Sequence, residues 1–234
     1  RSADDPLLEW VVERAERYEA TEPLIHLFRN ILLIYLGNLH DPLLQQTVSI
    51  FRQCTTFITP TERNTCIRMM ANYAIQMVRN GDDDYHRVAH QIYVIGFKLD
   101  SLILRGVIEP ALFINICIEA IAVQDYSFAK EIIAAYEPFL PEEEADLTVA
   151  LCEAYIAFHQ GDYRTTFDLL FNRETGSYHF QLRIRGLVLR ALYYLMETTP
   201  RLGEVFYIKA QNFRTYLSRD EVVDTPKAVM YRHF

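Results

Sequence analysis

His86-Arg-Val-Ala-His90 is the part of this chain that most resembles a chemical site. Two imidazoles at i and i+4 share one helix face, a spacing metal ions use, and Asp82-Asp-Asp84 lies just upstream. Arg87 stands where a zinc protease carries its general-base Glu, and the repeat register described below sets His90 on an outer face. His86 and His90 are therefore read as a solvated pair, with metal ligation as the alternative. Glu142, Glu143, Glu144 and Asp146 look like paired carboxylates. They fall in the first turn of a predicted helix, where negative charge favours the helix dipole. Cys54, Cys66, Cys117 and Cys152 form no Cys-x-x-Cys pair and lie in apolar stretches. They read as buried free thiols of a reducing compartment, hence a cytoplasmic location, rather than as disulfides or metal ligands. His159 reads as a groove or core-edge histidine rather than a base. No Gly-x-Ser-x-Gly elbow and no glycine-rich phosphate loop is present. No catalytic residue and no cofactor is expected.

Charge narrows the partners. With 23 Lys+Arg against 31 Asp+Glu, the net charge is −8. Such a chain repels phosphate backbones over most of its surface, so nucleic acid is not an expected partner. No apolar run is long enough to span a bilayer, so membrane insertion is not expected either. Residue 1 is Arg rather than Met, which suggests a trimmed chain or a piece of a longer one.

Half of the 234 residues are apolar, enough for a packed core. Only 8 are Gly, too few for a sheet protein with many turns. Pro6, Pro23, Pro42 and Pro60 recur at intervals of 17, 19 and 18 residues. Several prolines follow a capping residue, as in Asp5-Pro6, Asp41-Pro42, Thr59-Pro60 and Thr225-Pro226. Proline suits the first helical position because its missing N–H has no partner there anyway. Thr59-Pro-Thr-Glu62 adds a capping box, and Thr21, Glu109-Pro110 and Thr199-Pro200 mark further starts. Apolar residues at three- and four-residue spacing predict helices over 5–20, 22–37, 41–57, 60–80, 84–104, 109–123, 126–138, 142–160, 163–172, 179–196, 200–218 and 225–234.

The chain also repeats itself. Asp125-Tyr-Ser-Phe-Ala129 recurs as Asp162-Tyr-Arg-Thr-Thr166, and Asp84-Tyr-His-Arg-Val-Ala89 is an earlier copy. A small residue precedes each turn: Ala74, Cys117 and Ala154. Helices that meet at a small residue approach closely. This pattern resembles tetratricopeptide repeats, best over Pro110 to Pro141 and next from about Ala145 to Phe171. The Leu140-Pro-Glu-Glu-Glu start and the Gln160-Gly-Asp-Tyr163 turn resemble a bacterial group of uncharacterised tetratricopeptide-like proteins. The resemblance covers about 60–217. It implies an all-α fold, a right-handed superhelix of antiparallel helix hairpins (a TPR-like α-solenoid). The expected organisation is a single helical-repeat domain over 1–234. It comprises divergent helices over 1–59, hairpins over 60–217 and a C-terminal helix over 218–234.

Such a superhelix lines a concave groove with its first helices. The stripe expected there is Ile114, Ile118 and Ile121, then Leu151, Tyr155, Phe158 and His159, then Arg183, Arg190, Tyr193 and Tyr194. Either a partner peptide or protein covers it, or a tight winding or a homodimer does. Arg183, Arg185 and Arg190 form the local basic patch, suited to a solvated face or to an acidic segment. The family's peptide-carboxylate clamp is not expected, because its positions hold apolar or aromatic residues. The function expected is non-enzymatic binding of a protein or peptide. The alternatives are an accessory or regulatory domain of a larger protein and, last, a helical enzyme using His159 or the His86/His90 pair.

Overall fold

A computed structural model describes residues 6–18, 22–36, 41–173, 175 and 177–218. Among them the chain is all-helical. The helices are α1 (Pro6–Glu16), α2 (Pro23–Tyr35), α3 (Asp41–Cys54), α4 (Pro60–Arg79), α5 (Tyr85–Lys98), α6 (Pro110–Ala122), α7 (Tyr126–Tyr136), α8 (Glu142–His159), α9 (Tyr163–Leu170), α10 (Tyr178–Thr198) and α11 (Gly203–Leu217). Short 3₁₀ turns occupy Glu137–Phe139 and Pro200–Leu202. The helix predicted over 225–234 and the caps at Asp5, Thr21 and Thr225 lie outside the described residues.

The described residues fall into two compact units, one of 1–108 with 122–124, the other of 109–121 with 125–234. In the first, α1 packs on α2, α2 on α3 and α4, and α4 on α5. Its core centres on Leu27, Phe51, Ile67, Met70 and Tyr93. In the second, α7 packs on α8, α8 on α9 and α10, and α10 on both α9 and α11. Leu151, Cys152, Ala154, Leu182 and Leu192 are fully buried there. All four cysteines are buried free thiols. Burial, aided by Glu62 and Cys54, pushes the Cys66 thiol up to about 12. Burial and contact with Cys117 push Cys152 upward too.

The caps follow the local chemistry. Thr59 accepts from the Glu62 N–H at 3.3 Å, and Glu62 accepts from the Thr59 N–H at 2.7 Å, completing the capping box of α4. Those bonds from Thr59 hold the Glu62 carboxyl below its usual range. Thr199, by contrast, makes no side-chain cap bond.

The three repeat turns share one backbone device. The N–H of Asp82 donates to the Met77 carbonyl, that of Asp125 to Ala120 and that of Asp162 to Ala157. The residue before each, Gly81, Gln124 or Gly161, has positive φ. These are Schellman ends, in which a left-handed residue satisfies the last carbonyls of a helix. Asp125 and Asp162 then cap the following helix, accepting from Phe128 N–H and Thr165 N–H at 3.0 Å each. In the earliest copy the Asp at the Schellman position is Asp82, not Asp84, and Asp84 makes no side-chain cap bond. Counted from these turns, Ala74, Cys117 and Ala154 all sit eight residues upstream, and all are fully buried.

This register corrects two expectations. Matching Asp82 to Asp125 sets Tyr85, Ala89, His90 and Tyr93 on Phe128, Ile132, Ile133 and Tyr136, all eight of them buried. His90 is therefore an inward residue, 9% exposed, and His86 is half-buried, so the pair is not a solvated one. The predicted helix over 84–104 also stops early, at Lys98. Asp100 takes positive φ (50°), and the Ser101 N–H turns back onto the Gly96 carbonyl at 2.9 Å. Asn64 on α4 then donates to the Ser101 carbonyl at 2.8 Å. Beyond it, Leu104 and Val107 bridge across Arg105 and Gly106, whose positive φ values are those of a tight hairpin turn.

Candidate functional site

The predicted groove residues separate by burial. Ile114, Ile121 and Leu151 are 2%, 3% and 0% exposed. They are core side chains, and the expectation that they face a partner is corrected accordingly. The physical reason is cost: each such side chain left in water forfeits about 1.5–3 kcal/mol. Helix α6, apolar nearly all round, buries most of its residues, Glu119 included. Ile118 and Tyr155 are half-buried.

Of the remaining candidates, Phe158, His159, Arg190, Tyr193 and Tyr194 converge where the end of α8, the start of α9 and the last turns of α10 meet. Tyr163 and Tyr194 stack with ring centroids 4.4 Å apart and an interplanar angle of 11°. Phe158 meets Tyr163 edge-on at 5.3 Å and lies 6.0 Å from Tyr194. The Arg190 guanidinium lies over the Phe158 ring, 4.4 Å from its centroid. Tyr193 extends the cluster, 5.6 Å from Tyr194 and 6.4 Å from Phe206 on α11. Phe158 is covered by its neighbours, while Tyr193 and Tyr194 remain 55% and 40% exposed. Tyr207 and Ile208 on α11 are exposed as well.

His159 borders this cluster, its ring 5.6 Å from that of Phe158. Its carbonyl accepts from the Tyr126 hydroxyl at 3.4 Å. Desolvation first, and the Arg190 charge second, lower its pKa. The imidazole is thus neutral at neutral pH, and Arg190 is the cation of the surface. Among the described residues Arg190 has no carboxylate partner, which leaves it available to an anionic group.

The arginine patch read from sequence does not hold together. Successive helical residues turn by about 100°, so Arg183 and Arg190 share a face while Arg185 points about 200° away. Arg183 donates to the Asn115 Oδ1 at 3.2 Å. Arg185 bonds Gln181 and lies over the Tyr216 ring. Tyr163 is the residue that sequence reasoning undervalued. In sequence it stands only as part of the repeated Asp-Tyr turn, yet its ring is half of the stacked pair. Its place at the first position of α9, one turn-length after Phe158, was the available signal.

Among the described residues, no group of three or more His, Cys, Asp or Glu could hold a metal ion. None of their helices is long and apolar enough to cross a membrane. No known protein family, curated protein or solved structure gives a significant match to the chain.

Proposed function

We propose that this chain is a non-enzymatic, tetratricopeptide-like helical-repeat scaffold that binds a protein or peptide, its hairpins continuing as a right-handed superhelix. The reading rests on one observation above all: a partly exposed tyrosine stack beside an arginine with no carboxylate partner among the described residues. Tyrosine presents large rigid area at low entropic cost, and tyrosine and arginine are enriched where partners bind. The neutral His159 and the cationic Arg190 favour a segment carrying an acidic residue next to an apolar or aromatic one. The recurring Schellman turns, with a small buried residue eight positions upstream, support the repeat reading.

A displayed peptide library selected on the purified chain tests this. Selected peptides should be rich in Asp or Glu beside aromatic residues. Fluorescence polarisation should show Tyr194→Ala and Arg190→Gln each weakening them by about tenfold or more, with helical content unchanged. Peptides that bind both variants as tightly as the parent would rule out this surface.

A further inference from the structure

A second feature of the 109–121/125–234 unit is unused by that surface. A cavity of about 340 Å³ opens among α9, α10, α11 and the segment after α9. Among the described residues its lining includes Arg173, Arg185 and Lys209 and no Asp or Glu, in a chain with eight more acids than bases. Arg173 is paired with Asp146. The other two cations are held over aromatic rings instead. Lys209 Nζ lies 4.4 Å from the Phe171 centroid, and the Arg185 guanidinium 4.7 Å from that of Tyr216. Among the described residues neither reaches a carboxylate. Two cations gathered at one concavity repel each other, and an anion between them relieves that repulsion. The rest of the wall is mixed: Val188 and Leu189 supply apolar surface, while Gln181 and Asn212 supply amides. The volume suits a small organic molecule.

We propose that this cavity binds a small organic anion, its head group held by Arg185 and Lys209 and its apolar body laid against Val188 and Leu189. The test is calorimetric titration of the purified chain with phenyl phosphate, benzoate, benzyl alcohol and inorganic phosphate. At least one aryl anion should bind with a Kd below about 1 mM, and at least about tenfold more tightly than either benzyl alcohol or inorganic phosphate. Arg185→Gln and Lys209→Met should each reduce that affinity by about tenfold, whereas Lys130→Met, at an exposed position on α7, should leave it unchanged. Circular dichroism verifies each fold, and either of the two cavity variants suffices if the other does not fold. Four results would overturn the proposal: no binding of either aryl anion below about 10 mM, equal binding of the neutral alcohol, parental affinity in the cavity variants, or an equal loss in Lys130→Met. Lys209→Met should not alter peptide binding at Tyr194, so the two sites fail or stand independently.

Discussion

Substituting Gly96 by Ala probes the place where the chain departs most from its sequence reading. Gly96 lies inside α5, and what it provides there is space. A Cβ at this position would lie 2.8 Å from Leu102 Cδ2, 3.1 Å from Leu102 Cγ and 3.2 Å from Ile67 Cδ1. Leu102 and Ile67 are both buried, so neither can swing into solvent to make room. Forcing a methyl into such packing costs about 1–3 kcal/mol. Alanine in place of glycine returns about 0.5–1 kcal/mol through its better helix propensity. Gly96→Ala should therefore lose about 1–2 kcal/mol net. Urea unfolding followed by circular dichroism should show a lower midpoint with an unchanged slope. Leu102→Ala alone should cost about 2–5 kcal/mol, but in that background Gly96→Ala should become neutral or slightly stabilising, a coupling of about 1–3 kcal/mol. Gly203→Ala is the control, since its Cβ would meet only Met196 Sδ at an ordinary 3.8 Å. Parental stability in Gly96→Ala, or the same loss with and without Leu102, would refute the reasoning.

Two further outcomes follow from the site and the turns. Asp125→Ala should destabilise by about 1 kcal/mol through loss of the bond from Phe128 N–H, while Asp84→Ala, which removes no side-chain cap bond, should cost much less in the same denaturation assay. His159 titrates in the folded chain below its ordinary value, so the unfolded chain binds more protons in that interval. Its contribution to stability is therefore complete above about pH 6.5 and declines as pH falls toward the folded pKa. Arg190→Gln removes the second of the two causes, so the His159 proton resonance should titrate at higher pH in that variant; an unchanged midpoint would contradict the coupling.

Local chemistry carried most of the helix boundaries. The Thr59 capping box needs only residues three apart along the chain, and the Schellman turns need only a residue tolerant of positive φ before Asp. Such signals lie within a few residues, so they can be read in a line of sequence. The end of α5 could not be read this way, because Asn64 and Ile67 act on it from α4, the one through Ser101 and the other beside Leu102 at Gly96. Sequence sets His90 on an outer face because Asp82 and Asp84 are equivalent candidates there, and only the Met77 carbonyl distinguishes them.

The candidate site divides along the same line. Residue types and the period of 3.6 determined that Tyr193, Tyr194 and Arg190 would lie on the last turns of one helix, and that apolar stripes would recur. Tertiary packing alone decided that Ile114, Ile121 and Leu151 belong to the core. It also decided that Tyr163 stacks on Tyr194, and that Arg185 turns with Lys209 toward a cavity while Arg190 covers Phe158. Periodicity specifies which residues share a face. Which face is covered depends on the helices packed against it, and that is a property of contacts between residues far apart in the chain.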